Sequence, residues 1–180
     1  MPTAESPKVL IAYFSRTGHT ETVARHLADA CHADLEAIEP VRDRRGAFGY
    51  LLSGYEATFE RDARIRPPRR MPSDYDLVLV GTPTWNAALS SPVRAYLTRC
   101  ASSLPAALGF FATCGGRGGQ RALEQMQQIV GKPALAALVL SERDMRGRWS
   151  VYLAEFWESV LCGWESGGPC AGKTRKGASG

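Results

Sequence analysis

Residues 8–24 read KVLIAYFSRTGHTETVA. The opening run, 8–14, is nearly all apolar, the pattern of a strand buried on both faces. It breaks into small hydroxylated residues and one glycine, Ser15 to Thr20. From residue 19 the period changes: Val23, Leu27 and Cys31 fall four apart, and Glu21 sits in the first turn, where the helix dipole favours a carboxylate. Strand, tight loop and helix make the opening unit of a parallel sheet, so this stretch sets the expectation for the rest of the chain.

The downstream sequence continues the alternation. ADLEAIEP (33–40) reads as a second strand stopped by Pro40, and residues 47–61 align Leu51, Tyr55 and Phe59 on one helical face. YDLVLVGTP (75–83) is the clearest strand. Pro92 then opens a helix whose Val93, Tyr96, Leu97 and Cys100 share a face, and proline is well tolerated at a first helical position. ALGFFAT (107–113) and ALAALVLS (134–141) are the fourth and fifth strands, separated by a helix over 119–130 that Gly131-Lys132-Pro133 ends. A last helix over about 149–163 draws on Trp149, Leu153, Phe156, Trp157 and Val160. No hairpin signal interrupts the series. The expected fold is an α/β doubly wound parallel sheet of five strands, order 2-1-3-4-5, with helices on both faces. It spans 1–164 as one domain, and the glycine-rich basic stretch 165–180 is expected to be a disordered tail.

Bulk composition sets limits on function. At 180 residues, 44% apolar and 22% charged, the chain suits one soluble domain. No apolar run approaches the roughly 20 residues a membrane span needs, and MPTAESPK lacks the pattern of a secretory signal, so a cytoplasmic protein is expected. Five cysteines without a Cys-x-x-Cys pair argue against a zinc site and a disulfide framework. His19, His26 and His32 lack the carboxylate spacing of a metal set, and none is expected. The net charge of +4 includes RDARIRPPRR (61–70), whose cations lie on no nucleic-acid motif. A basic rim would steer anionic substrates or partners.

In an open parallel sheet, ligands bind beyond the carboxyl ends of strands where the strand order reverses. That rule nominates loops 15–20, 82–91 and 114–119. In the first, Ser15, Thr17 and Thr20 offer hydroxyls, Arg16 and His19 offer backbone N–H groups, and Gly18 lets the chain close around an anion. No lysine or magnesium-binding carboxylate accompanies them, so the loop suits a phosphate that is held and not transferred; a capped turn would have the same composition. The second loop places Trp85 among Thr82, Pro83, Thr84 and Asn86, a flat face beside polar groups. The third, Thr113, Cys114, Gly115, Gly116 and Arg117, offers close backbone approach and one cation, or simply a glycine-rich turn.

On these motifs the sequence resembles the flavodoxin family of bacterial FMN-binding proteins. The family's phosphate pattern [ST]-x-T-G-x-T is present as Ser15-Arg16-Thr17-Gly18-His19-Thr20, and GTPTWNAALSSPVRAYL looks like the strand-three loop of the family. The resemblance covers about residues 8–163. It implies a flavodoxin-like fold with FMN bound at the three loops: Ser15 to Thr20 on the phosphate, Thr82 to Asn86 beside the ring, and Thr113 to Arg117 on the other side. The flavin would carry the chemistry, with no catalytic side chain of the protein. The implied activity is an FMN-dependent oxidoreductase, with NAD(P)H as donor and quinones or similar compounds as acceptors. The family's alternative role is electron transfer between redox partner proteins. Electron-carrier flavodoxins are usually acidic and often place a tyrosine opposite the tryptophan; this chain is basic, and the loop after the fourth strand has no aromatic.

Two other motifs compete. GGPCAGKT (167–174) satisfies G-x-x-x-x-G-K-[ST] but lacks a following helix-length segment, since only RKGASG remains. Cys114 with Arg117 or Arg121 resembles a cysteine phosphatase loop, although Arg121 stands one residue too far for Cys-x5-Arg.

Overall fold

A computed structural model describes residues 6–41 and 64–169. Strand β1 (Val9–Tyr13) is buried along its whole length, as its apolar run requires. It pairs in parallel with β2 (Asp34–Ala37) on one side and β3 (Leu77–Trp85) on the other. β3 pairs with β5 (Ala107–Cys114), and β5 with β6 (Ala136–Ser141), both in parallel. The order β2-β1-β3-β5-β6 is the expected five-strand order, with numbering shifted by one added strand.

That added strand corrects the reading that no hairpin exists. β3 runs two residues past the expected Pro83, turns at Asn86-Ala87, and returns as β4 (Ala88–Leu89), antiparallel with Trp85 opposite Ala88. Asn86 and Ala87 have φ of 47° and 56°. Two successive left-handed residues make the tight turn whose twist suits a two-residue hairpin. Thr84 and Trp85, expected in a loop, are therefore strand.

Among the described residues, four long helices cover the sheet. α1 (His19–Cys31) and α3 (Gly119–Val130) match their expected bounds, and α2 (Ser91–Cys100) begins one residue before Pro92. A short α4 (Glu142–Met145) was not anticipated; Ser141 and Asp144 cap it reciprocally. α5 (Trp149–Ser166) continues past 163 into the expected tail, whose residues 170–180 lie outside the described ones, as does the helix read over 47–61.

Strand alternation divides the core. Leu10, Val78, Val80 and Phe110 pack with Val93, Tyr96 and Leu97 of α2 and Leu123 and Met126 of α3. Val9, Ile11, Leu77, Leu79 and Phe111 pack with Val23 and Leu27 of α1 and Leu153, Phe156 and Val160 of α5. Helices on both faces are thus as expected. Because the chain leaves β1 for β2 on one side and then crosses to β3 on the other, the order reverses at β1 and β3, where their loops diverge. Among the described residues no helix is long and apolar enough to cross a membrane. Cys31, Cys100 and Cys114 are free thiols, whereas Cys162 is disulfide-bonded, a pairing the odd cysteine count did not suggest.

Candidate functional site

The loop between β1 and α1 is braced from within. Gly18 has φ 96° and no side chain caps α1. The left-handed conformation is one that glycine adopts without steric cost. The Gly18 N–H donates to Ser15 Oγ at 3.1 Å, and Thr22 N–H makes the first helical bond, to the Gly18 carbonyl at 2.8 Å. Helix geometry leaves the N–H groups of His19, Thr20 and Glu21 without an intrahelical acceptor. Ser15, Arg16 and Gly18 are half-buried, and Thr17 and His19 are exposed. The result is a shallow arc of donors at the positive end of a 13-residue helix, an arrangement suited to an anion.

Thr20 is placed differently from its neighbours. It is 1% exposed, and its hydroxyl lies 2.7 Å from that of Thr113 at the end of β5. Its side chain is a strut between loops. Thr82 is likewise internal: its hydroxyl lies 2.9 Å from Ser90 Oγ and donates to the Pro83 carbonyl.

Trp85 is 9% exposed. Phe14 meets its ring edge-on with centroids 5.3 Å apart, and the Arg16 guanidinium lies 5.8 Å from its centroid. The indole is therefore held between the first two loops, with the Arg16 guanidinium beside its ring. Pro83 and Thr84 are half-buried and Asn86 is exposed at the hairpin tip.

The hairpin also reaches the third loop. Thr84 Oγ1 donates to the Arg117 carbonyl at 3.4 Å. A Cβ on Gly118, which has φ +84°, would stand 2.2 Å from Ala87 Cα. Only glycine permits that approach. Gly115, Gly116 and Arg117 are exposed, whereas Thr113 and Cys114 are buried. Burial pushes the Cys114 thiol above its ordinary range, opposed by backbone N–H groups of Gly116 and Gly119.

All three predicted loops therefore meet at one end of the sheet. The sequence did not single out Gln125, a buried residue of α3 whose Oε1 accepts the Leu89 N–H at 2.9 Å and so pins the returning strand. Its only signal was a polar residue between Ala122 and Met126 on the apolar face of the helix. Phe14, the edge-on neighbour of Trp85, had read simply as the end of the first strand.

The model of the flavodoxin family matches residues 8–139. Among solved structures, a flavoprotein of Lactobacillus acidophilus in complex with FMN is similar at 18% identity and a TM-score of 0.64, covering 80% of this chain and 99% of its own. A flavoprotein of Bacteroides eggerthii shares 22% identity with a TM-score of 0.62, covering 82% and 98% respectively. Rubredoxin oxygen:oxidoreductase of Desulfovibrio gigas is similar over 88% of this chain but 36% of its own, at 18% identity and a TM-score of 0.54. At these identities the structural likeness speaks to the fold alone.

Proposed function

Because the chain belongs to the flavodoxin family, we propose that it binds FMN noncovalently where β1, β3 and β5 end, and that it is an FMN-dependent oxidoreductase driven by NAD(P)H toward quinones or similar acceptors. The observation that carries this reading is the arc of donors at Ser15 to Thr20. It offers helix N–H groups and hydroxyls to a phosphate, with no lysine placed to assist its transfer. The FMN bound by the Lactobacillus acidophilus relative supports the choice of ligand.

When bound, FMN supplies hydride or single-electron chemistry. The protein's part is binding and electrostatics. Ser15 and Thr17, with the backbone of Arg16, Gly18, His19 and Thr20, hold the phosphate. Trp85, Pro83, Thr84 and Asn86 wall the ring, while Gly115 and Gly116 approach it by backbone. Arg117 offsets negative charge on the ring's polar edge. Thr82, Thr113 and the Thr20 hydroxyl fix these loops from inside.

The test is spectroscopic. Purified protein should carry flavin absorption or acquire it on titration with FMN; an unchanged spectrum at saturating FMN overturns the reading. NADPH with a quinone then separates reductase from carrier, since direct turnover supports the reductase and reduction only through a second protein supports the carrier. The carrier is the second reading, favoured by the match to a minor part of a larger oxidoreductase chain. A cysteine phosphatase is disfavoured because burial raises the Cys114 thiol where that chemistry needs a thiolate.

A further inference from the structure

The loops after β5 and β6 and the helix starts that follow them carry Arg117, Arg121, Arg143, Arg146 and Arg148, all exposed. Among the described residues none of the five makes an ion pair. Three carboxylates, Glu124, Glu142 and Asp144, lie among them and offset part of this charge, which leaves an excess of two cations. Asp144 is occupied in the capping box with Ser141, and Glu124 accepts a hydrogen bond from Gln120. Glu142 remains exposed.

The two loops adjoin, because β5 and β6 are paired and a Cβ on Gly115 would lie 3.8 Å from Glu142 Oε1. One turn beyond Arg148, Val151 stands 39% exposed, an apolar residue beside the cations. Exposed guanidiniums spread over successive loops, with an apolar side chain among them, form the kind of rim that meets an extended surface. A small anion needs donors that converge on one point, and these side chains are spread over two loops and the helix starts that follow them.

We propose that this arginine rim is a docking surface for an acidic protein partner. Its position at the end of the sheet where FMN is proposed makes the inference rest on that reading: a partner seated there would lie close to the cofactor. Electrostatic complementarity would speed the encounter and fix orientation, and salt would weaken it.

The test measures binding directly. The full-length protein is titrated with a strongly acidic plant-type [2Fe–2S] ferredoxin, by calorimetry, at low and at high ionic strength. Binding at low salt that weakens about tenfold or more at physiological ionic strength is expected. The double variant Arg146→Glu, Arg148→Glu should weaken low-salt binding about tenfold or more. Arg64→Glu, Arg99→Glu, with the same change in net charge away from the rim, should leave it within about twofold. No binding at low salt, or equal loss in both variants, overturns the proposal. So does a rim variant that binds the acidic protein normally but has lost binding to phosphatidylserine vesicles. Flavin loading is read separately from the absorption spectrum, so a protein that binds through the rim but never takes up FMN removes the flavin reading and leaves the surface in place.

Discussion

The hydroxyls of Thr20 and Thr113 meet 2.7 Å apart in a buried hydrogen bond between residues 93 positions apart in the chain. It joins the start of α1 to the end of β5, two neighbours of the donor arc that no backbone pairing connects directly. Removing one hydroxyl leaves the other buried and unsatisfied. Thr113→Val should therefore lower stability by about 1–3 kcal/mol in urea unfolding. Thr20→Val with Thr113→Val should cost less than the sum of the single changes, and strict additivity would show that the bond contributes nothing.

Ser15 is tied to the Gly18 N–H at 3.1 Å and faces the donor arc. Ser15→Ala should weaken FMN binding by about 1 kcal/mol, roughly fivefold, as the flavin's fluorescence quenching reports. Riboflavin, which has no phosphate, should bind both forms alike. Equal weakening for both ligands would place Ser15 away from the phosphate.

Gly118 accepts Ala87 against its Cα and holds φ +84°. Gly118→Ala adds a Cβ that must collide with the Ala87 backbone and leaves a non-glycine residue in left-handed geometry, with an expected cost above about 1 kcal/mol. The hairpin would be displaced. Thermal unfolding reads the cost, and FMN titration reads the loss of the second and third loops as a joint wall.

Ala87 sits at φ 56° in the hairpin turn, where a side chain is unfavourable. Ala87→Gly should stabilise the fold by about 0.5–1 kcal/mol, the relief of left-handed strain outweighing glycine's added freedom in the unfolded chain. Chemical denaturation that shows a loss would mean that the alanine methyl makes packing contacts worth more than the strain.

Burial pushes the Cys31 thiol from 9.0 to about 11. The thiol is neutral in the folded state while the unfolded chain ionises, so its contribution to stability is full below pH 9. It is lost as the pH rises toward 11. Urea midpoints measured from pH 8 to 11 should fall less steeply for Cys31→Ser than for the parent chain. Parallel profiles would show that the thiol does not titrate differently in the two states.

Much of the architecture was legible because its signals are local. The apolar run 8–14, the change of period at residue 19 and the glycine after Val130 gave β1, α1 and the end of α3 almost to the residue. The β3–β4 hairpin was not legible, because its turn is Asn-Ala where the usual sequence signal is Asn-Gly. Ala87 is held left-handed by the strands it joins, which no local preference of alanine announces. α4 escaped for a different reason: four residues are too few to show a period, and only the reciprocal cap of Ser141 and Asp144 defines it.

The sequence by itself determined the strand–loop–helix order and the chemistry of the first loop, since Ser15, Thr17, Gly18 and the helix start follow from residue types within ten positions of one another. Tertiary structure decided what each side chain is free to do. Thr20 and Thr82 turned inward to bond Thr113 and Ser90, while Trp85 came to lie between Phe14 and Arg16. The physical reason is the parallel crossover: it sets residues far apart in the chain side by side at one end of the sheet, and a hydroxyl or an indole can meet only the partners that this pairing brings to it.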